Sequence, residues 1–166
     1  INIFKNLNNY AKKNIFNVDF IILISLMIVE DSDNVDYFLF KFNLSNKEKK
    51  RILFLKRSFS FKINKQTFSN NNLQKILYFE GKQALLDFLY FNIFISKKID
   101  KKIIEMIDLY KEKETPMLPI KPITLMTKYN IPEGKELGVL LKRIEKRWVD
   151  NNFKISEDEV QEIVKN

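Results

Sequence analysis

Three glycines in 166 residues, against apolar side chains that recur every third or fourth position, leave helices as the main way this chain can fold. Ile3, Phe4, Leu7, Tyr10 and Ala11 mark a first helix. Asp19 is placed to cap a second that runs through Val29, and a third is expected over Val35 to Phe42. Ser45-Asn46-Lys47-Glu48 reads as a capping box, with Ser45 at N-cap and Glu48 at N3, opening a helix to about Arg57. Ser58 to Asn72 is polar and reads as a connector that a helix enters late. Leu73 to Ile95 predicts a long helical region, bent or broken near Gly81, and Ile99 to Glu114 predicts another. Phe38 to Phe42 and Phe59 to Ile63 are the only strand candidates, both weak. The expected fold class is all-α.

Pro116, Pro119 and Pro122 make the best boundary, because proline cannot continue a helix and biases the preceding residue to extended backbone. The chain is therefore expected to be a helical body bundle over residues 1–114 followed by a small helical tail over 115–166. In the tail, a short helix from Ile123 to Tyr129 precedes a Pro132/Gly134 turn and a helix from about Lys135 to Asp150. Ser156 with Glu159 forms a second capping box before the last helix.

Composition narrows the chemistry. With 45% apolar residues the chain can bury a core. It has no cysteine and no histidine, which removes disulfides, thiolate metal sites and the usual base of a Ser or Cys nucleophile. Glu30, Asp31 and Asp33 lie close together, as a metal site would require, but a self-repelling solvated loop is the simpler reading. Glu157, Asp158 and Glu159 sit in a first helical turn, where acids offset the helix dipole. Pro132 to Gly138 lacks the spacing and strand context of a nucleotide loop. No catalytic residue and no metal ligand is assigned, and an independent enzyme is the poorest reading.

The longest apolar stretch, Phe20 to Val29, is interrupted by Ser25 and is roughly half the length that spans a bilayer. No membrane partner is expected. The N-terminal segments lack a small-residue cleavage site, so a cytoplasmic protein is the default. Ile1 in place of Met fits a processed or internal piece of a longer chain.

The net charge is +8, and it is local: Lys41 to Lys65 holds nine Lys or Arg against Glu48 alone. Such a block suggests a polyanion partner. A chain this rich in Lys, Asn, Ile and Phe also uses lysine as plain surface filler. After Ser45, Ile52, Leu55 and Phe59 share one helical face; Lys47, Lys50 and Arg57 fall opposite, flanked by Lys49, Arg51 and Lys56. In the tail, Leu137, Leu140, Leu141, Ile144 and Trp148 line one face, Trp148 as a core residue. Lys135, Lys142 and Lys146 line the other, with Arg143 beside them. The Gly134 turn exposes helix N–H groups that can receive a phosphate. Gly138 either lets another backbone approach or allows close helix packing.

The segments Pro116-Met117-Leu118-Pro119-Ile120, Leu125-Met126 and Ile131-Pro132-Glu133-Gly134-Lys135-Glu136-Leu137-Gly138-Val139-Leu140-Leu141-Lys142, followed by Glu145 and Trp148, resemble a known family. It is the bacterial class II CCA-adding tRNA nucleotidyltransferases and related poly(A) polymerases, in their C-terminal region. Leu44-Ser45-Asn46-Lys47-Glu48 resembles a helix start in that family's body, and Tyr78 with Gly81 sits where a Tyr-x-x-Gly-like segment is usual. The likeness runs from near Leu44 to Phe153. One departure is Lys121-Pro122-Ile123-Thr124, where family members usually carry a Gly and often an Asp.

The resemblance implies an RNA-holding body and tail, with at most the end of a neck and without the catalytic head. That head would carry a Gly-Ser motif and paired aspartates, and would use Mg2+ with CTP or ATP. Asp31-Ser32-Asp33 has the aspartate spacing but follows a helix and no Gly-Ser precedes it, so the role is not carried over. The implied partners are tRNA or other RNA and the missing head and neck. The competing expectation is a helical interaction or dimerisation module without direct RNA contact. Its interface would come from the Phe20 to Val29 helix and the Tyr37 to Phe42 stretch.

Overall fold

The computed structural model of the protein describes residues 2–29, 32–60, 63–64 and 66–165, the side chains of Asn2, Ile3, Ser32 and Asp33 excepted. Among the described residues the chain is all helix and turn, with no strand. It divides into two compact units, 1–115 and 116–166.

The first unit holds α1 (Asn2–Lys5), α2 (Asn9–Asn14), α3 (Phe20–Ile28), α4 (Ser32–Lys41), α5 (Asn46–Ser60), α6 (Asn70–Phe79), α7 (Lys82–Ile95) and α8 (Lys101–Glu112). A single N-terminal helix was the expectation, but Asn8 divides it. Its Oδ1 accepts the Ala11 N–H and caps α2, while its Nδ2 donates to the carbonyls of Ile93 and Ser96 at 2.7 and 2.9 Å. One residue thus starts a helix and ties it to the end of α7.

Neither strand candidate forms a strand where it is described: Phe38 to Lys41 close α4 ahead of a bend at Phe42, Phe59 belongs to α5, which runs three residues past the expected end, and Ile63 lies in irregular backbone. Phe61 and Lys62 of the second candidate lie outside the described residues, as do Glu30 and Asp31 and the side chain of Asp33. The Leu73 to Ile95 region breaks at Gly81, whose φ of 89° is a backbone state that side-chain-bearing residues rarely adopt.

α7 is the centre of this unit. It packs on α2, α3, α5, α6 and α8 and buries Ala84, Leu85, Phe88, Leu89, Phe91, Ile93 and Phe94. A helix apolar nearly all round is one surrounded by protein. Ile52 and Leu55 of α5, Leu73 and Leu77 of α6, and Ile107 and Tyr110 of α8 close on it. Ser25, the polar break in α3, is fully buried there.

The second unit holds α9 (Pro122–Tyr129), α10 (Lys135–Asp150) and α11 (Glu157–Lys165). Pro122 opens α9 at a position where its missing N–H costs nothing, and Asn130 ends it in the left-handed state at φ 56°. Leu125, Leu137, Leu140, Ile144, Val160 and Ile163 form its core. Trp148 is buried, edge-on to Phe153 at 4.8 Å between ring centres.

Candidate nucleic-acid interface

In the first unit the basic helix begins as the sequence dictates. The Ser45 N–H and hydroxyl both donate to Glu48 Oε2 at 2.7 Å, and the Glu48 N–H returns a bond to Ser45 Oγ at 3.3 Å. The Ser45 hydroxyl and then its N–H hold the Glu48 carboxyl below its ordinary value of 4.5. Beyond that turn, α5 is packed by α3, α4 and α7, and this decides what its cations can do.

Arg51 is not a surface charge. Its Nε donates to Asp87 Oδ2 at 2.5 Å and its Nη2 to Asp87 Oδ1 at 2.8 Å, and Nη2 lies 3.1 Å from Asp19 Oδ1. Asp87 is 0% exposed and Arg51's side chain 10%. Desolvation works to lower the Arg51 pKa, but the bonds to Asp87 and then Asp19 outweigh it, so the guanidinium stays charged. Gln83 Nε2 donates to the same Asp87 Oδ1 at 3.0 Å. The fork joins α5 to α7 and to the start of α3.

Around this anchor lies a groove of about 800 Å3. Lys47, Lys50, Leu53, Lys56 and Arg57 form one wall, and Phe79, Glu80 and Gln83 form the other. Lys56 pairs with Asp36 at 3.0 Å, and Arg57 pairs with Glu80 at 3.3 Å while its Cζ stands 6.0 Å from the Phe54 ring centre. Among the described residues Lys47 and Lys50 have no ion-pair partner. The three cations singled out on α5 therefore do come to one groove, two of them free and one paired.

Sequence reasoning missed Phe54. It falls among the cations on the helical wheel, yet it is buried against Phe88 at 6.2 Å. The two-faced reading of α5 fails because neighbours close on more than one side of it. It also missed Phe79, whose ring ends α6 with 62% of its surface exposed.

In the second unit, α10 is amphipathic in the simpler way. Its apolar face is the core just described; Leu141 is half-buried at that core's edge. Lys135, Lys142, Arg143 and Lys146 lie on the solvent side, and among the described residues none has an ion-pair partner. Gly134 precedes the helix at φ 147° with no side chain capping the first turn, so the early N–H groups have no side-chain partner. Gly138 is exposed, and a Cβ built there meets nothing within 4 Å. Close packing against another helix of its own unit is thus not what Gly138 serves. About 100° per residue places Gly138 and Lys142 on neighbouring stations of the lysine face.

Among the described residues no group of three acids gathers to hold a metal, and no helix is long and apolar enough to cross a membrane. No protein-family model matches the chain, and no characterised protein or solved structure matches it either.

Proposed function

We propose that the chain is the RNA-holding body and tail of a CCA-adding or poly(A)-adding nucleotidyltransferase. On this reading it keeps an RNA in place while its 3′ end is extended by a head that lies elsewhere. The observation that carries the proposal is the solvent face of α10. Four cations, without an ion-pair partner among the described residues, stand on one helix whose N-terminus opens at a glycine turn. An unpaired cation is free to take a phosphate, and A-form RNA is held largely through phosphates and shape. The sequence likeness of the Pro132 to Lys142 segment to that family supports the assignment of the RNA as a tRNA or a related substrate. Lys47, Lys50 and Arg57 supply a second cationic surface on the first unit. The Mg2+, CTP and ATP that the likeness implies belong, on this reading, to the head.

Binding of labelled tRNAs over a salt series tests the proposal. Lys142→Glu with Lys146→Glu is expected to weaken all tRNAs alike and to lower the salt slope by about one for each phosphate no longer engaged. Unchanged affinity in that double variant would remove α10 as an RNA-binding surface. Nucleotide incorporation by the 166-residue chain alone would overturn the division of labour.

A second reading has its own observation. Tyr37 and Phe40 on α4 are 64% and 88% exposed, more than solubility favours for such large rings. They suit a protein interface or a homodimer. The other half of that expected interface is weaker, since α3 turns Ile21, Ile22 and Leu26 into the core and leaves only Phe20 and Met27 well exposed. Sedimentation of the chain alone decides it: self-association that Phe40→Ser abolishes supports an interface, and a monomer at all concentrations removes the homodimer.

A further inference from the structure

We infer that the groove between α5 and the α6–α7 junction receives one unpaired nucleotide, its base against the Phe79 ring and its phosphate on Lys47 and Lys50. The inference rests on the RNA-binding reading and adds a single-stranded contact to it.

Three observations meet at this groove. The first is Phe79 itself. It is the last residue of α6, held at the helix end by the Gly81 break, and its ring makes an edge contact with Tyr78 at 4.9 Å between centres. It takes no part in the core, so its exposure leaves a flat π surface open to a planar partner. Base–aromatic stacking is insensitive to base identity because every base offers a π face. The second is the charge around it. Arg51, Lys56 and Arg57 are each matched by an acid, and Glu80 is matched by Arg57. Among the described residues, what remains unmatched on the walls is Lys47 and Lys50. The excess is two positive charges in a groove that also presents an exposed ring, the complement of an aromatic base joined to a phosphate. The third is size: about 800 Å3 falls within the roughly 300–1,000 Å3 usual for clefts that take a small ligand. A base inside a duplex could not reach Phe79 with its face, since both faces are covered by neighbours in the stack, and a terminal pair would bring its partner base and second strand into the same groove. The occupant must therefore be unpaired.

Rigidity favours the site as well. The Arg51 fork to Asp87 ties the α5 backbone to α7 beneath the groove, so that wall is set before any ligand arrives.

The test uses the full chain with a single-stranded RNA octamer carrying 2-aminopurine, a blunt RNA duplex and free ATP. Stacking on Phe79 is expected to change the 2-aminopurine emission. Phe79→Leu, which keeps apolar bulk at an exposed position, should weaken the octamer roughly 5- to 150-fold, the range for loss of one stacked base. It should leave the duplex unchanged. Phe79→Trp should retain octamer binding, and Lys47→Gln with Lys50→Gln should weaken it with a smaller salt slope. Phe79-dependent binding of the octamer but not of ATP identifies the nucleotide as part of a strand. Phe79-dependent binding of both identifies a site for nucleotides in general. If wild-type protein binds tRNA while Phe79→Leu leaves octamer affinity and emission unchanged, the groove inference is overturned and the RNA-holding reading survives. If no RNA binds at low salt, both are overturned.

Discussion

The larger unit uses most of the arginines and lysines around its anchor to hold itself together, whereas the smaller unit leaves a row of them in solvent. In α5, Arg51 answers two acids from other helices, Lys56 answers Asp36 and Arg57 answers Glu80. In α10, among the described residues, only Arg147 approaches an acid outside its helix, Glu159 at 3.8 Å. The difference comes from packing. A helix with several neighbours meets carboxylates that tertiary structure brings to it, while a helix with one packed face meets few. Charge density along a sequence therefore overstates what a crowded helix can offer a polyanion and is a fairer guide for an open one.

The largest expected effect strikes the crowded side. Arg51→Ala leaves Asp87 buried and uncompensated, which costs about 3–5 kcal/mol. Lys56→Ala removes an exposed pair worth about 0–1 kcal/mol. Urea denaturation of the two variants reads the contrast, and equal losses would mean that the buried fork is no anchor. Next comes the core of the open side. Ile144→Ala at a fully buried position costs about 2–5 kcal/mol, and a unit of roughly fifty residues has little stability to lose. Hydrogen exchange should show protection lost across α9, α10 and α11 and kept in α7. Loss in α7 as well would mean that the two units unfold as one.

What could be read in advance follows the same division. Both capping boxes were legible because their partners sit three residues apart and the chemistry is local. The α10 pattern was legible because Leu137, Leu140, Ile144 and Trp148 form one apolar stripe that is buried as the wheel predicts, although Val149 beside it is buried as well. Asn8 was not: asparagine is a favoured cap, but Asn2, Asn6, Asn9 and Asn14 crowd the same stretch, and its two long-range bonds reach 85 and 88 residues along the chain. Neither was the fate of Arg51, whose partner Asp87 stands 36 residues away and reads in sequence as an ordinary helical acid. Phe79 was invisible as a candidate because an apolar residue in an apolar run is assumed to be core; the helix end that exposes it is set by Gly81.

Gly138→Ala sharpens the comparison at a smaller scale. The site is an exposed helix interior with room for a Cβ, so alanine should stabilise the second unit by about 1 kcal/mol through helix propensity. If an RNA backbone approaches α10 at that gap, the same change should lower tRNA affinity while thermal stability rises. A rise in stability with affinity unchanged would leave Gly138 without a binding role.

The smallest effect treats both units alike and so serves as their control. Glu48 is held below its ordinary pKa by the Ser45 hydroxyl and N–H. Glu159 is held low by the Ser156 N–H, with further bonds from the Ser156 hydroxyl and from Asn151 Nδ2 at 2.6 Å. A carboxyl whose folded pKa is depressed contributes stability above its unfolded value, near 4.5, and loses that contribution as pH falls through the folded value. Acid should therefore fray the first turns of α5 and α11. Amide shifts of Ser45 and Ser156 followed below pH 4.5 report each box directly. Asn151→Ala removes one of the three bonds to the Glu159 carboxylate, so the α11 box of that variant should open at higher pH than the wild-type box. An unchanged midpoint would mean that the Asn151 bond is not formed in solution.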